Sequence, residues 1–462
     1  MTDFQAVILA AGKGTRMKSE RAKVLHEVAD LPMLGHVIDT AIASGAGLVT
    51  VVLGHQIDAV RHWLAGRYGD AISVAEQREQ LGTGHAVWSA KEALKSGASK
   101  TLILSGDVPN LGVETLRAFV EASHGFDLSL ITADVEDAGQ YGRILRDGDA
   151  VVGIVEFKDA TPAQRTIREI NAGCYLVDSA LLYQQLERLC AVAANNAANE
   201  YYLTDVVAAV TGSHKVFGYK IVNTAEIQGV NTRLDLAAAE AVAQERINRR
   251  WMLAGVTMHA PQTIRIGADV VLDEDVTLHP GVVLRGRTSI GRGCLIETGT
   301  VLDSAQLGQD VHVKPYCVVT DSPIGDNSVI GPFAHLRPDS IVGRGCKIGN
   351  FVETKNTTLA DGAKASHLSY LGDATVGANA NVGAGTITCN YDGKNKHRTT
   401  IGDGSFVGSN SALVAPVTIG SGAYVGAGSV ITVDIPDGAL GVARGRQKNI
   451  ENWARRRRSS ET

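Results

Sequence analysis

The sequence predicts two folds in series: a Rossmann-like α/β domain, then a linker helix and a left-handed parallel β-helix of hexapeptide repeats. Three observations predict this. Strand-like aliphatic runs alternate with helix-like stretches through the first half, beginning at a glycine-rich turn. Arg233 to Leu253 is rich in Ala, Glu and Arg and lacks Gly and Pro. From Ile264 to Ile431 an aliphatic residue returns every six positions.

The six-residue period comes first because it settles most. It runs Ile266, Leu272, Leu278, Leu284, Ile290, Ile296 and Leu302, slips by one to Leu307, Val313 and Val319, and slips again to Ile324, Ile330, Leu336, Val342 and Ile348. The last run is Ile401, Val407, Leu413, Ile419, Val425 and Ile431. Such a period fits neither a helix nor a plain strand. It fits a chain wound round a triangular prism, each coil burying its inner face against its neighbours. The aliphatic residue points to the axis. A small residue four places on, such as Ala334, Ser411 or Ser429, lets the corner close.

Of 462 residues the hexads claim the last two fifths, so the boundaries expected are 1–232, 233–254 and 255–462. A hydrophobic content of 44% with 20% charged residues describes a chain able to build real cores. A net charge of −5 argues against a general nucleic-acid binder, and Arg455 to Arg458 read as a solvated basic tail. The six cysteines have neither zinc nor redox spacing, which favours reduced thiols and a cytoplasmic protein. Ala6–Ala11 is too short for a signal peptide, and no run approaches the roughly 20 apolar residues of a membrane span.

In the first domain, Ala6 to Ala11 reads as a buried strand entering the turn Gly12-Lys13-Gly14-Thr15-Arg16. A glycine-rich turn after a first strand suits phosphate held by backbone N–H groups. Met17 stands where a dinucleotide fingerprint needs its third glycine, and no Gly-Lys-Ser/Thr closes a Walker loop. Arg16 and Lys23 place two cations just beyond. Thr50–Leu53 and Thr101–Leu104 read as further strands, His36–Ser44 and His85–Leu94 as helices, so the sheet is mostly parallel with ligands at its carboxyl edge. Asp107 leaves the third strand there through Ser105-Gly106. It reads equally as a turn residue or as a ligand for Mg²⁺, which takes one or two carboxylates plus substrate phosphates. Asn231 is a second oxygen donor if the fold brings it near.

The hexads break twice. Lys355 to Tyr370 and Thr388 to Thr400 read as insertions, and breaks in a repeat are where function tends to enter. With Arg337 they gather Lys355 and Lys396 near His367 and Tyr370, and three cations suit a phosphate-bearing substrate. An imidazole can take up a proton near neutrality, so His367 is the natural general base.

Leu9-Ala10-Ala11-Gly12-x-Gly14-Thr15-Arg16-Met17, Lys23-Val24-Leu25, Gln77 with Gly82-Thr83-Gly84-His85-Ala86, and Gly106-Asp107-Val108-Pro109 resemble the sugar-phosphate nucleotidyltransferases. Joined to the hexads, they resemble one bacterial family, the bifunctional N-acetylglucosamine-1-phosphate uridyltransferase / glucosamine-1-phosphate acetyltransferases. The resemblance spans the chain. It departs at Ala22, where the family usually has Pro, and at Ser105, where it often has Tyr.

The resemblance implies that Leu9, Ala10, Ala11, Gly12 and Lys23 hold UTP, with Arg16 neutralising its phosphates. Gln77, Gly82 and Thr83 would read uracil, and Ser105 and Gly106 would also contact UTP or UDP-N-acetylglucosamine. Gly142, Glu156 and Asn171 would hold N-acetylglucosamine 1-phosphate, and Asp107 and Asn231 would bind Mg²⁺. It implies glucosamine 1-phosphate at Arg337, Lys355, Tyr370, Asn381 and Lys396. Acetyl-CoA would lie at Ala384, Asn390, Tyr391, Ser409, Ala427 and Arg444. It implies catalytic roles for His367, Arg16 and Lys23, and a homotrimer. Two rivals remain: a nucleotidyltransferase whose β-helix only assembles it, as in ADP-glucose pyrophosphorylases, and a trimeric nucleotide-binding scaffold without turnover.

Overall fold

The computed structural model describes residues 3–95, 97–194 and 196–458. The chain divides into two compact units, Met1–Glu245 and Arg246–Thr462, and the division falls inside the helix Arg233–Leu253. The first half of that helix is tied to the head: Ala29 N–H donates to Glu240, and Asn110 Nδ2 donates to Ala239 O. In the second half Asn248 Nδ2 donates to the carbonyls of Pro261 and Ile264, at the first coil.

The head is built on one mixed sheet. The strand Phe4–Ala10 lies at its centre, parallel to Val49–Leu53 on one side and Lys100–Ser105 on the other. The strand Glu169–Asp178 enters antiparallel between Lys100–Ser105 and Leu128–Asp134. The first strand reads as an unbroken apolar run because both of its faces are covered: Phe4, Ala6, Ile8 and Ala10 pack into one core and Val7 into the other. Its end is therefore fixed on both sides, and the loop that follows leaves from a rigid edge. Two helices differ from expectation. One begins at Met33, directly after Pro32, and the other starts at Thr83 and is interrupted at Ala90.

The second unit is a prism with three parallel faces of eleven, ten and nine strands. Each strand pairs with the third one on, so Ile266 stacks on Leu284 and Ile290 on Leu307. The repeating aliphatics are buried along the axis, each contributing about 1.5–3 kcal/mol. Two residues before each sits a small buried side chain, among them Thr288, Ser322, Ser328 and Ser411. Their hydroxyls are satisfied by corner carbonyls, as when Ser328 Oγ donates to Gly343 O at 2.9 Å. Cys294, Cys317 and Cys346 occupy the same position, and burial pushes the Cys294 and Cys317 thiols up to about 11. Burial disfavours their thiolate form.

The first expected insertion, Lys355–Tyr370, is no insertion. Its strands pair in register with the coils on either side, Leu359 with Val342 before it and Ala365 with Val382 after it. Thr354 and Ala365 take inward positions, which a census of aliphatics alone passes over. The second is real. The chain leaves the prism after the strand Ile387–Cys389 and returns at Thr399–Ile401.

Candidate functional site

In the head, four singled-out side chains meet at the carboxyl edge of the sheet. Lys23 Nζ lies 2.5 Å from Asp107 Oδ2 and 2.8 Å from Asn231 Oδ1, and Arg16 Nη2 lies 2.9 Å from the same Asn231 oxygen. The backbone explains the meeting. Gly106 N–H donates to Leu9 O, which holds the Asp107 loop against the glycine-rich turn, and Val230 N–H donates to Asp107 O, which brings Asn231 alongside. Gly14 adopts φ 61°, and a Cβ there would strike the Lys23 side chain 2.6 Å away, so the turn can close only on glycine. The Asp107 and Asn231 oxygens share one cationic partner, so both face one point of positive charge. One carboxylate and one amide oxygen suit Mg²⁺, which fills its other positions with water and phosphate. Among the described residues no cluster of three or more His, Cys, Asp or Glu forms a metal cage.

Asp235 is a residue that sequence reasoning missed. Its Oδ2 accepts the N–H groups of Asn231 at 2.9 Å and Thr232 at 2.8 Å, while its own N–H donates to Thr232 Oγ1. This reciprocal cap starts the helix Arg233–Leu253 and fixes the backbone of Asn231. Thr232-x-x-Asp235 before a helix was the available signal. Burial pushes the Asp235 carboxyl up, but those N–H donors, the Thr232 side chain and Arg16 outweigh it and hold it below the usual range. Its stabilisation is therefore present above the unfolded carboxylate pKa and is lost as pH falls through the lowered value. Asp235→Ala is expected to cost about 0.5–2 kcal/mol, read by thermal melting, and to loosen the backbone of Asn231.

The other head residues form two further groups. Gln77 is buried, and its Nε2 donates to Gly82 O at 3.0 Å, so it clamps the turn that precedes Thr83. Gly82 has φ 109°, and a Cβ there would lie 2.5 Å from Tyr201 O. Asn171 N–H donates to Gly142 O at 2.9 Å, and Glu156 accepts from Thr204 Oγ1 at 3.1 Å beside Gly142. Burial first, with Asp205, Asp159 and Glu200 adding, raises the Glu156 carboxyl. Ser105 faces Gly173, at the irregularity in the strand Glu169–Asp178.

In the prism, Lys355, Lys396 and Arg337 crowd together. The Lys396 ammonium, and then Arg337, lower the Lys355 pKa, while the Asp373 carboxylate acts the other way, so these charges share one corner. Arg337 Nη1 is 2.9 Å from Glu353 Oε1. The Lys396 loop is a small hairpin, with Tyr391 bridged to Lys396 across the four residues Asp392-Gly393-Lys394-Asn395. The N–H of Asn395, the His397 ring and the N–H of Lys394 hold the Asp392 carboxyl well below the usual range. Asp373, buried at a corner, pins both ends of the excursion. It accepts from Asn390 Nδ2 at 2.5 Å and Asn356 Nδ2 at 2.6 Å, and its carbonyl accepts Thr399 N–H. Only the Asp-Gly pair hints at the hairpin in the sequence.

His367 stands at the neighbouring corner of the prism. It ends the strand Lys364–His367 on one face, and the next face begins with Tyr370–Gly372, whose far corner carries the cations. Tyr370 reaches across Gly372 toward Asn390, filling space a Cβ would take. Asn381 sits one coil on from His367's strand, opposite Lys364. Ala384, Ser409 and Ala427 follow His367 along one corner. Gly385 N–H donates to His367 O, Asn410 N–H to Ala384 O and Gly428 N–H to Ser409 O. The N–H groups of Ala384, Ser409 and Ala427 have no intramolecular acceptor among the described residues, so they form a row of donors. Arg444 Nη1 reaches Ala427 O at 2.7 Å, at the end of that row.

The fold and these sites define a two-domain transferase, with a nucleotide-handling α/β head and a hexapeptide prism. The model of MobA-like NTP transferase domains matches residues 6–208. That of the GMPPB C-terminal domain matches 266–343, and that of the bacterial transferase hexapeptide (six repeats) matches 398–432. A bifunctional protein GlmU from Anaeromyxobacter sp. (strain Fw109-5) is 48% identical over 99% of this chain and 94% of its own length. Relatives of the same name from Heliobacterium modesticaldum and Geotalea uraniireducens are 47% and 45% identical, each over 98% of this chain and 98% and 99% of their own lengths. The chain belongs to the GlmU family of bifunctional proteins. No helix among the described residues is long and apolar enough to cross a membrane.

Proposed function

We propose that the prism acetylates glucosamine 1-phosphate with acetyl-CoA, and that the head then joins the product to UMP. The chain is a bifunctional enzyme of UDP-N-acetylglucosamine synthesis: a glucosamine-1-phosphate N-acetyltransferase and a UDP-N-acetylglucosamine diphosphorylase. The observation that carries the two-site assignment is the pair of separate cationic clusters. One is built on Arg16 and Lys23 beside two metal-type oxygens, the other on Arg337, Lys355 and Lys396.

In the head, the sugar phosphate attacks the α-phosphorus of UTP and pyrophosphate leaves, a reaction that needs positioning and charge neutralisation. The turn Leu9–Gly12 cradles the nucleotide phosphates through its backbone. Arg16 and Lys23 offset charge on them. Gln77, Gly82 and Thr83 take the uracil end, with Ser105 and Gly106 at the edge. Gly142, Glu156 and Asn171 take the acetylated sugar. Asp107 and Asn231 hold Mg²⁺, which when bound neutralises phosphate charge.

In the prism, Arg337, Lys355 and Lys396 bind the sugar phosphate with Tyr370 and Asn381. His367 accepts a proton as the amine attacks the thioester carbonyl. The Ala384 N–H stabilises the oxyanion of the tetrahedral intermediate, whose collapse forms the amide and releases CoA. Asn390 orients the amine. Tyr391, Ser409, Ala427 and Arg444 lie along the CoA. No cysteine is needed as a nucleophile.

A homotrimer is part of the proposal. Tyr316, Phe333, Phe351 and Leu368 line the corner that continues into His367, all exposed and all in the left-handed region, and the three rings stack 5.5 and 5.4 Å apart. Bulky residues rarely adopt that backbone, and an exposed apolar ridge is costly unless another copy covers it. Use of UTP and acetyl-CoA, both made and consumed inside the cell, supports a cytoplasmic enzyme. The test supplies the full chain with glucosamine 1-phosphate, acetyl-CoA, UTP and Mg²⁺, then follows CoA, pyrophosphate and UDP-N-acetylglucosamine by mass spectrometry. Sedimentation of the same sample should give three chain masses. Absence of CoA release, or a monomer at working concentration, would refute the corresponding half.

A further inference from the structure

We propose that Asn350 is a positioning residue for acetyl transfer: it holds the Nδ1–H tautomer of His367, so that Nε2 is the atom that takes the amine proton. The inference rests on the acetyltransferase reading above.

Asn350 Oδ1 lies 2.6 Å from His367 Nδ1. A carboxamide oxygen can only accept, so Nδ1 must carry hydrogen and the neutral ring keeps its lone pair on Nε2. The same residue also fixes the backbone beside the ring, because Leu368 N–H donates to Asn350 O at 3.0 Å. Ring and main chain are thus held from one neighbour on the preceding coil.

The contact is built into the ladder. On this face the strands are two residues long, except for Lys347–Asn350 and Lys364–His367, each of four. The pairing runs past Lys347–Lys364 and Ile348–Ala365 to reach Asn350–His367. Close approach there requires Gly349, since a Cβ at that position would collide with the Ser366 carbonyl. At the matching corner position, the coil before Asn350 presents Pro332 and the coil after His367 presents Ala384. Neither side chain can bond an imidazole, so Asn350 stands where the base needs a partner.

Nδ1 needs an acceptor throughout the reaction, because the ring becomes imidazolium and must donate from both nitrogens. A charged acceptor would do this too, at the expense of a more basic ring. Asn350→Leu, near in volume and without an acceptor, is expected to lower acetyl-transfer kcat about 10- to 100-fold with KM for both substrates within about twofold. Asn350→Asp is expected to retain kcat at alkaline pH while the acid limb of kcat/KM moves up by about one pH unit. The other charged groups nearby, Lys347, Lys364 and Glu353, are unchanged in both variants. The full chain is used, and thermal melting tests its folding. Should Asn350→Leu fail to fold, the Asn350→Asp profile decides. An Asn350→Leu effect confined to KM, or an acid limb unmoved in Asn350→Asp, would overturn the proposal. Turnover surviving in His367→Ala would overturn the base assignment as well, whereas its loss beside unaltered Asn350 variants would overturn this proposal alone.

Discussion

Asp107→Ala is expected to lower uridylyl transfer at least about 10²- to 10³-fold while acetyl transfer continues at its normal rate. The carboxylate leaves the buried strand Lys100–Ser105 through Gly106, which lies against Leu9 O, so it cannot move without disturbing the phosphate turn. Its loss strips the Lys23 ammonium of its anionic partner at 2.5 Å, although the lysine side chain is only 11% exposed. That ammonium is no longer held in place beside the phosphate turn, and one of the two metal-type oxygens is gone. Pyrophosphate release reads the first activity and CoA release the second. Asp107→Asn keeps the volume and separates charge from packing. Uridylyl transfer within about twofold of the parent would remove Asp107 from the site.

The complementary variant, His367→Ala, is expected to cost about 10²- to 10⁴-fold in acetyl transfer, the usual contribution of a positioned general base. Uridylyl transfer from added N-acetylglucosamine 1-phosphate should persist, because the strand Lys364–His367 belongs to the second compact unit. His367 is exposed at a corner and its ring fills no core, so misfolding is a poor explanation for lost turnover. Together the two variants separate the rival readings. A structural prism predicts no effect of His367→Ala on any reaction, and a scaffold without turnover predicts no effect of either change.

The family name speaks to the whole chain, but the residues speak to each half. The prism carries a cation cluster, an outward hairpin pinned by Asp373 and a row of N–H donors along one corner that find no acceptor among the described residues. A module serving assembly alone needs none of these. The gathering of Lys355, Lys396 and Arg337 at one corner is the clearest sign, since Asp373 and Glu353 are the acidic partners set beside three cations there.

The sequence by itself determined the two architectures and most of the chemistry. A six-residue period has one structural solution, and an apolar strand ending in a glycine-rich turn and followed by two cations has few. It did not reveal that Lys355–Tyr370 stays in the coil, because Thr354 and Ala365 are inward residues that an aliphatic pattern cannot distinguish from a break. Nor could it show Asp107 beside Asn231, Asp373 beside Asn390, or Asn350 beside His367. The first pair is distant in sequence, and the other two are each separated by one coil of the prism. Periodicity reports which face a residue occupies and local motifs report how a turn closes. Which side chains share a point in space depends on the register between strands, and only packing of the whole coil or sheet decides that.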